Sequence, residues 1–377
     1  MDFTVPRDIL KEAVKWTAQT VPQRPSVPIL AGIRLTAEDG VLELSSYDYE
    51  TSTRSQIPAE VDVPGDILVP GKLLASITQS LPNAPVRCKL EDTRMKLECG
   101  AAHFVLATMS VDEYPTMPVM PQTRGSFDSK VLSEAISQVS IAASRDDTIP
   151  LLTGVRIEID DDTITFLGTD RYRLAMKEFK WNPSEAGVST SLLVKASTLS
   201  EVAKSMTSAG SVDFAFDIEQ TGPNSLVGFT AGARQSTSTL MDGEYPPVRR
   251  LFPEETNVHA VVKRDVLLEA VKRVSLVAEQ KTSVRLIFEG EELTLRAGQD
   301  DSSQASEQVP VALHGEALQT AFNPSFLQAG LSALDTDYVR FSFTEPMKPA
   351  VITGQNEQDG EDDLTYRYLL MPIRFGI

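Results

Sequence analysis

His103, His259 and His314 are the only imidazoles in the 377-residue chain, and no Cys, Asp or Glu stands at metal-ligand spacing around them. They read as surface or strand residues. Cys88 and Cys99 are too few for a disulfide framework or a zinc site and read as reduced thiols on neighbouring strands. Acidic clusters at Asp160-Asp161-Asp162, Asp300-Asp301 and Glu361-Asp362-Asp363 have the oxygen chemistry of a hard-cation site, but adjacent carboxylates on hairpin turns are ordinarily solvated. The chain has neither a Gly-x-Ser-x-Gly elbow nor a Gly-x-Gly-x-x-Gly loop. Its nearest approach to a phosphate loop, Gly65 to Leu73, spaces the glycines by five residues and has Leu73 where a hydroxyl would hold Mg²⁺. An apolar strand at Ile67-Leu68-Val69 running into a helix explains it better. Catalysis finds little support in these residue types, and no cofactor is implied.

Two other segments carry chemistry of a different kind. Thr169-Asp170-Arg171-Tyr172-Arg173-Leu174-Ala175 sets two arginines and a tyrosine directly after a strand, and Tyr368-Leu369-Leu370-Met371-Pro372-Ile373-Arg374 is an apolar, Met-containing run. Taken singly they are a strand-end loop and a last core strand. Combined with Gly243-Glu244-Tyr245-Pro246-Pro247-Val248-Arg249-Arg250-Leu251-Phe252-Pro253, they describe an apolar groove rimmed by guanidinium groups, suited to an extended peptide with Leu or Phe anchors.

The elements that must position these segments recur three times. Helical octets begin at Arg7, Ser129 and Arg264, and their Glu-Ala-apolar step falls at residues 12, 134 and 269, spaced by 122 and 135 residues. Each octet is followed by an apolar strand, starting at Leu30, Leu152 and Ser283, and by a hairpin partner entered through an acidic or glycine turn. A second helix then appears near Leu74, Leu199 and Leu327, with further strands after it. Glu113-Tyr114-Pro115 returns 131 residues later as Glu244-Tyr245-Pro246, each followed by a Pro-rich stretch. These joints set domains at 1–122, 123–254 and 255–377.

Composition bounds the remaining classes. No window approaches a membrane span, and residues 1–7 have neither the basic nor the apolar region of a secretory signal, so a cytoplasmic protein is expected. The net charge of −18 argues, at face value, against a nucleic-acid partner. The charge is unevenly spread, however. Over the six proposed helices Lys and Arg exceed Asp and Glu by roughly five, which leaves the strands and turns correspondingly more acidic.

The threefold repeat, the Thr169-Asp170-x-x-Arg173-Leu174-Ala175 motif, the Asp242-Gly243-x-x-Pro246 to Arg249-Arg250 segment and the Met371-Pro372-Ile373-Arg374 tail together resemble the bacterial replicative sliding clamps, the β subunits of DNA polymerase III. The resemblance runs essentially from end to end. It implies an α+β fold of three repeated clamp domains, with helices lining a ring and antiparallel sheets outside, closed as a head-to-tail homodimer. Closure of such a heterologous contact is what prevents a fibre. The first domain of one subunit would meet the third of the other, with Phe104 and Leu106 on one edge and Leu276 and Val277 on the other.

The implied function is a processivity factor that encircles duplex DNA, is opened by an ATP-driven clamp loader, and has no catalytic site, cofactor or membrane partner. Its DNA contacts would be phosphate-directed and non-specific. Arg24, otherwise a solvated loop arginine, matches a DNA-touching position of relatives, and Arg145 occupies the equivalent loop of the second repeat. Polymerase subunits and the loader would dock through short linear peptides. By resemblance, their pocket comprises Leu152, Thr169, Arg171, Tyr172, Arg173, Leu174, Pro246, Arg250, Leu251, Asn323, Phe326, Met347, Leu369, Leu370, Met371, Pro372 and Arg374. Arg171-Tyr172 stands where many relatives have Gly-His, implying a narrower and more basic mouth, and Phe375-Gly376-Ile377 extends past the usual end. Two or three buried anchors at about 1.5 to 3 kcal/mol each, less ordering costs, imply roughly micromolar peptides. The alternatives from other classes are a peptide-binding scaffold of the same repeats without DNA, and a metal-dependent hydrolase using the acidic turns.

Overall fold

Helices form where the octets and their partners recur: α1 (Arg7–Thr17), α2 (Gly71–Ser80), α3 (Ser129–Ser140), α4 (Ala196–Met206), α5 (Arg264–Val274) and α6 (Pro324–Ser332). The computed structural model describes residues 1–207, 209–217, 225–278, 283–298 and 303–374, so Asp300-Asp301 and Phe375-Gly376-Ile377 lie outside the described residues. In α1, Leu10, Ala13, Val14 and Thr17 recur at helical spacing and are buried, while Asp8, Glu12 and Lys15 are exposed. In α5 the same stripe is Leu267, Ala270, Val271 and Val274, and Lys272 and Arg273 sit in the last turn, where cations suit the carbonyl end. α1 packs against α2, and α5 against α6. No helix among the described residues is long and apolar enough to cross a membrane.

Each repeat carries a two-residue hairpin after its first helix. Glu38 pairs with Val41, Asp160 with Thr163 and Glu289 with Glu292. Asp39 (φ 49°) and Gly40 (φ 78°) both take the left-handed conformation that lets so short a turn follow the twist of its strands. In the first two repeats the strand that follows the first helix begins later than the sequence suggests. Pro28–Ala31 and Pro150–Thr153 are short 3-10 turns, and the strands start at Gly32 and Gly154. Proline at the start of each turn fixes the φ that a helical turn needs and that a strand does not.

The chain divides into two compact units, one of Met1–Ser133, Trp181–Ala186 and Glu201–Leu240, the other of Glu134–Lys180, Gly187–Ser200 and Met241–Ile377. This division differs from the sequence boundaries near 123 and 255, and the sheets explain why. In the first unit, strand Thr51–Pro58 of the first repeat pairs antiparallel with Arg234–Thr239 of the second, making one nine-stranded sheet, and a five-stranded sheet stands beside it in the topology. In the second unit, Arg173–Lys180 pairs antiparallel with Asp363–Leu370 of the third repeat within another nine-stranded sheet, accompanied by a four-stranded one. Each large sheet therefore runs through a joint, and its hydrogen bonds fuse two repeats.

The joints are packed as well as proline-rich. Tyr114 is 8% exposed and its hydroxyl accepts the Tyr47 N–H at 2.8 Å, while Tyr245 is 3% exposed and its hydroxyl accepts the Thr169 N–H at 3.1 Å. Both bonds end on the last residue of the second hairpin strand of a repeat. Cys88 and Cys99 are free, buried and on paired strands, and burial pushes the Cys88 thiol up to about 12.

Candidate peptide-binding site

The site grows from the turn between strands Thr163–Thr169 and Arg173–Lys180. Asp170 Oδ1 accepts the N–H groups of Tyr172 and Arg173 at 3.0 and 3.1 Å, an Asx arrangement that closes the turn through a side chain. The Thr169 hydroxyl donates to the Arg173 carbonyl at 2.6 Å and accepts the Arg171 N–H at 3.2 Å. These bonds hold Arg171 at φ 80°, a left-handed conformation that glycine adopts freely and that a side chain tolerates only when its surroundings over-determine it. Asp170 is the residue of this turn that sequence reasoning left out of the site. Its position ahead of two N–H groups at a strand end was the available signal.

Arg173 is fixed from two sides. Its Nε donates to Asp170 Oδ2 at 2.9 Å, with both side chains nearly nine-tenths buried, and its guanidinium carbon lies 4.2 Å from the centre of the Phe326 ring. Phe326 is set by the start of α6. Asn323 caps that helix, its Oδ1 accepting from Ser325 and Phe326 N–H at 2.9 and 3.2 Å, and Pro324 fills the first helical position. Tyr368 donates its hydroxyl to the Phe326 carbonyl at 3.0 Å. Gly330 permits this approach, since a Cβ there would lie 2.5 Å from the Tyr368 ring. Tyr172, 57% exposed, has its ring 6.4 Å from that of Phe326, and its carbonyl accepts the Met371 N–H at 2.9 Å.

The apolar floor lies beneath. Leu152, Leu174 and Leu369 share one buried cluster with Leu167, Tyr245 and Val248. The strand register places Leu174 opposite Leu369 and Arg173 opposite Leu370, so the floor is a cross-strand pair between the second and third repeats. Met371 leaves that strand half-exposed, at 41%. Pro246 and Arg250 are exposed and border a cavity of about 1010 Å³ next to this cluster.

The remaining expected residues stand as follows. Leu370 is fully buried and Pro372 half-buried. Leu251 and Met347 are 53% and 46% exposed, and no hydrogen bond, ion pair or ring contact among the described residues ties them or Arg374 to Arg173 or Phe326. Arg24 and Arg145 are exposed in the loops that follow α1 and α3. Leu276 is 86% exposed and Val277 half-buried. Phe104 and Leu106 lie on strand Ala102–Ala107, the last strand of the five-stranded sheet. Leu106 is 1% exposed within its own core, Phe104 packs partly against the same core, and the outward residue of that strand is Val105 at 56%. The strand's alternation turns Phe104 and Leu106 inward together.

The first repeat carries the same frame with a different floor. Asp48 Oδ1 accepts from Glu50 and Thr51 N–H at 3.0 and 2.7 Å, Tyr49 sits at φ 76°, and Tyr114 replaces Tyr245 as the acceptor behind the turn. The cross-strand pair that corresponds to Leu174 and Leu369 is Ser52 and Thr237, whose hydroxyls are 2.6 Å apart.

The acidic and imidazole groups are engaged elsewhere. Asp161 Oδ1 accepts the Gly187 N–H at 2.7 Å, Asp162 pairs with Lys180 at 2.7 Å, and Asp362 with Arg340 at 3.4 Å. His259 and His314, distant in sequence, face each other across paired strands. Burial, then Arg340, holds His259 below the usual imidazole range, and its Nδ1 lies 3.2 Å from the Ser342 hydroxyl. Among the described residues no three His, Cys, Asp or Glu converge as a metal site.

Comparison with known proteins gives one consistent answer. Family models of the DNA polymerase III beta subunit match in succession, the N-terminal domain over residues 1–118, the central domain over 126–247 and the C-terminal domain over 249–374. The chain is 46% identical over 376 residues to the beta sliding clamp of Streptomyces coelicolor, with 100% of both chains covered. It is 49% identical over 313 residues to that of Micrococcus luteus, covering 83% of this chain and 100% of the relative. The DNA polymerase sliding clamp from Bacillus subtilis superposes with a TM-score of 0.90 at 26% identity over the whole of both chains.

Proposed function

This chain belongs to the family of DNA polymerase III β subunits, the sliding clamps of the replicative polymerase, and from that premise we propose that two copies close head to tail around duplex DNA and dock partner peptides on the site built by Thr169 to Leu174. The observation that carries the ring is the succession of three clamp repeats, in order, through the chain; two such chains supply six. Their boundaries are taken at 1–122, 123–254 and 255–377. Leu276, exposed to 86% on the third repeat, has the character of a residue that a partner covers.

Peptide docking is supported by the site's chemistry. An arginine held against Asp170 and Phe326, a half-exposed Met371 and the Leu152, Leu174 and Leu369 floor offer apolar burial beside a fixed cation. Leu or Phe anchors gain from that floor, and ordering costs keep the affinity low enough for polymerases to exchange. Retention on DNA is topological, so phosphate contacts from residues such as Arg24 and Arg145 stay weak, and the protein slides. No bond is made or broken by the chain itself. Ring opening belongs to an ATP-driven loader, and the work is done in the cytoplasm with the DNA.

The ring is tested by loading the protein with its loader on nicked circular DNA and then linearising it. Protein retained on circles and lost on linear molecules is the expected result. Equal retention on both forms would refute encirclement.

A further inference from the structure

Pro246 and Arg250 of the docking site also line the neighbouring cavity of about 1010 Å³, whose other walls come from strands Gly154–Asp160, Thr163–Thr169 and Asp363–Leu370 and from the joint around Phe252. Its charged lining is unbalanced. Arg156, Arg249, Arg250 and Arg367 face two carboxylates, Glu158 and Glu254. On a chain of net charge −18, a pocket with excess positive charge is a local reversal of the field.

The carboxylates present leave the Nε–H groups of Arg156 and Arg367 without an aligned acceptor. Arg249 is shared out, 3.0 Å from the Thr165 hydroxyl, 3.6 Å from Glu158 and 3.9 Å from Glu178. Arg156 Nε lies 2.9 Å from Glu158 but makes no aligned hydrogen bond, and Arg367 Nε is buried without a partner. Arg367 lies with its guanidinium carbon 5.0 Å from the centre of the Phe252 ring, and its pKa is depressed by burial and then by Arg249. Arg250 forms no ion pair among the described residues. Buried N–H groups of a cation are costly while unpaired, and a carboxylate that meets their fork recovers that cost.

Resting on the peptide-docking reading, we infer that this cavity receives the carboxylate side chains of a docked partner segment that flank its Leu or Phe anchors. Continuity supplies the first argument, because a peptide anchored over Leu174 and Leu369 reaches the cavity across Pro246 and Arg250. The floor supplies the second. Leu167 and Phe252 give methylene stems and peptide backbone something to cover, whereas a nucleic-acid strand would bring a continuous polyanion against Glu158, Glu178 and Glu254. The site thus reads partner sequence outside the anchors, by charge.

The test uses fluorescent peptides with one Leu-Phe anchor pair and neutral flanks, or with Glu residues added before or after the anchors. At low salt one acidic flank tightens binding by about 3- to 10-fold, and the gain disappears at high salt. Arg249→Gln, Arg367→Gln and Arg156→Gln each reduce that gain while the neutral peptide binds as to the parent protein, which also shows that the variants are folded. If the neutral peptide binds and neither acidic flank adds affinity, the inference fails and the docking reading stands. If the neutral peptide does not bind, both fail. If a short single-stranded oligonucleotide binds more tightly than the acidic peptides and loses its binding in the same variants, the occupant is nucleic acid and the assignment is overturned.

Discussion

The Tyr245 hydroxyl accepts the Thr169 N–H at 3.1 Å, and through that bond the joint between repeats fixes the first residue of the 169–173 turn. Tyr245→Phe keeps the ring in its buried cluster and removes the acceptor. A buried N–H left unpaired costs about 1 to 3 kcal/mol, so the urea midpoint falls by a corresponding amount. Because Thr169 also carries the bonds to Arg171 and Arg173, affinity for an anchored peptide falls in the same variant. An unchanged midpoint and affinity would show that the bond positions nothing.

Arg173 acts as a fixed, flat cation. Arg173→Lys retains the charge but loses the planar fork held by Asp170 and the face laid on Phe326. Peptide affinity is expected to fall about tenfold, close to the loss in Arg173→Ala, with dimer mass in sedimentation unaltered. Recovery of most of the affinity in the lysine variant would reduce Arg173 to a point charge.

Leu276 and Leu106 are expected to respond in opposite ways. Leu276→Asp alters a residue that touches little of its own chain, so the dimer mass shifts toward monomer while the folded subunit persists by circular dichroism. Leu106→Ala empties a core position and costs about 2 to 5 kcal/mol of subunit stability. Monomeric, fully stable Leu106→Ala protein would show that the residue serves the dimer contact and not the subunit core.

Alkaline pH probes the buried phenols. Burial pushes Tyr114 and Tyr368 up to about 12 from an ordinary value near 10, and Tyr245 and Tyr366 are raised too. A hydroxyl with a folded pKa above its unfolded one keeps its proton better when folded. Between about pH 10 and pH 12 the unfolded chain therefore binds fewer protons, and stability falls as pH rises, by up to about 1.4 kcal/mol per pH unit for each such group. Denaturant titrations from pH 8 to 11 should show a flat region followed by this decline. A midpoint insensitive to pH above 10 would contradict it.

Helices and hairpins were legible in the sequence because their signals are local. The octets of α1, α3 and α5 and the turn at Asp39-Gly40 each need only neighbouring residues. Pairing of Thr51–Pro58 with Arg234–Thr239, or of Arg173–Lys180 with Asp363–Leu370, joins segments nearly two hundred residues apart, and no periodicity records a non-local register. Within the site, the motif around Arg173 and the tail at Met371 could be picked out as unusual. The ties that join them, from Asp170, Tyr245 and Tyr368, depend on side-chain direction in the folded chain. Leu106 was expected at an edge by resemblance alone; its strand does end the sheet, and the burial of its side chain depends on tertiary packing that strand alternation does not record.

The turn frame built on Asp170 and Tyr245 occurs again on Asp48 and Tyr114, but its floor pairs Ser52 with Thr237 in place of Leu174 with Leu369. Hydroxyls that already bond each other give an apolar anchor nothing to displace and no dry surface to cover. Nearby, burial and then Asp48 hold Glu201 above the usual carboxylate range. Of the two frames among the described residues, only the one on Asp170 therefore has an apolar floor, and on the docking reading proposed above a pair of chains would offer two such positions for its partners to share.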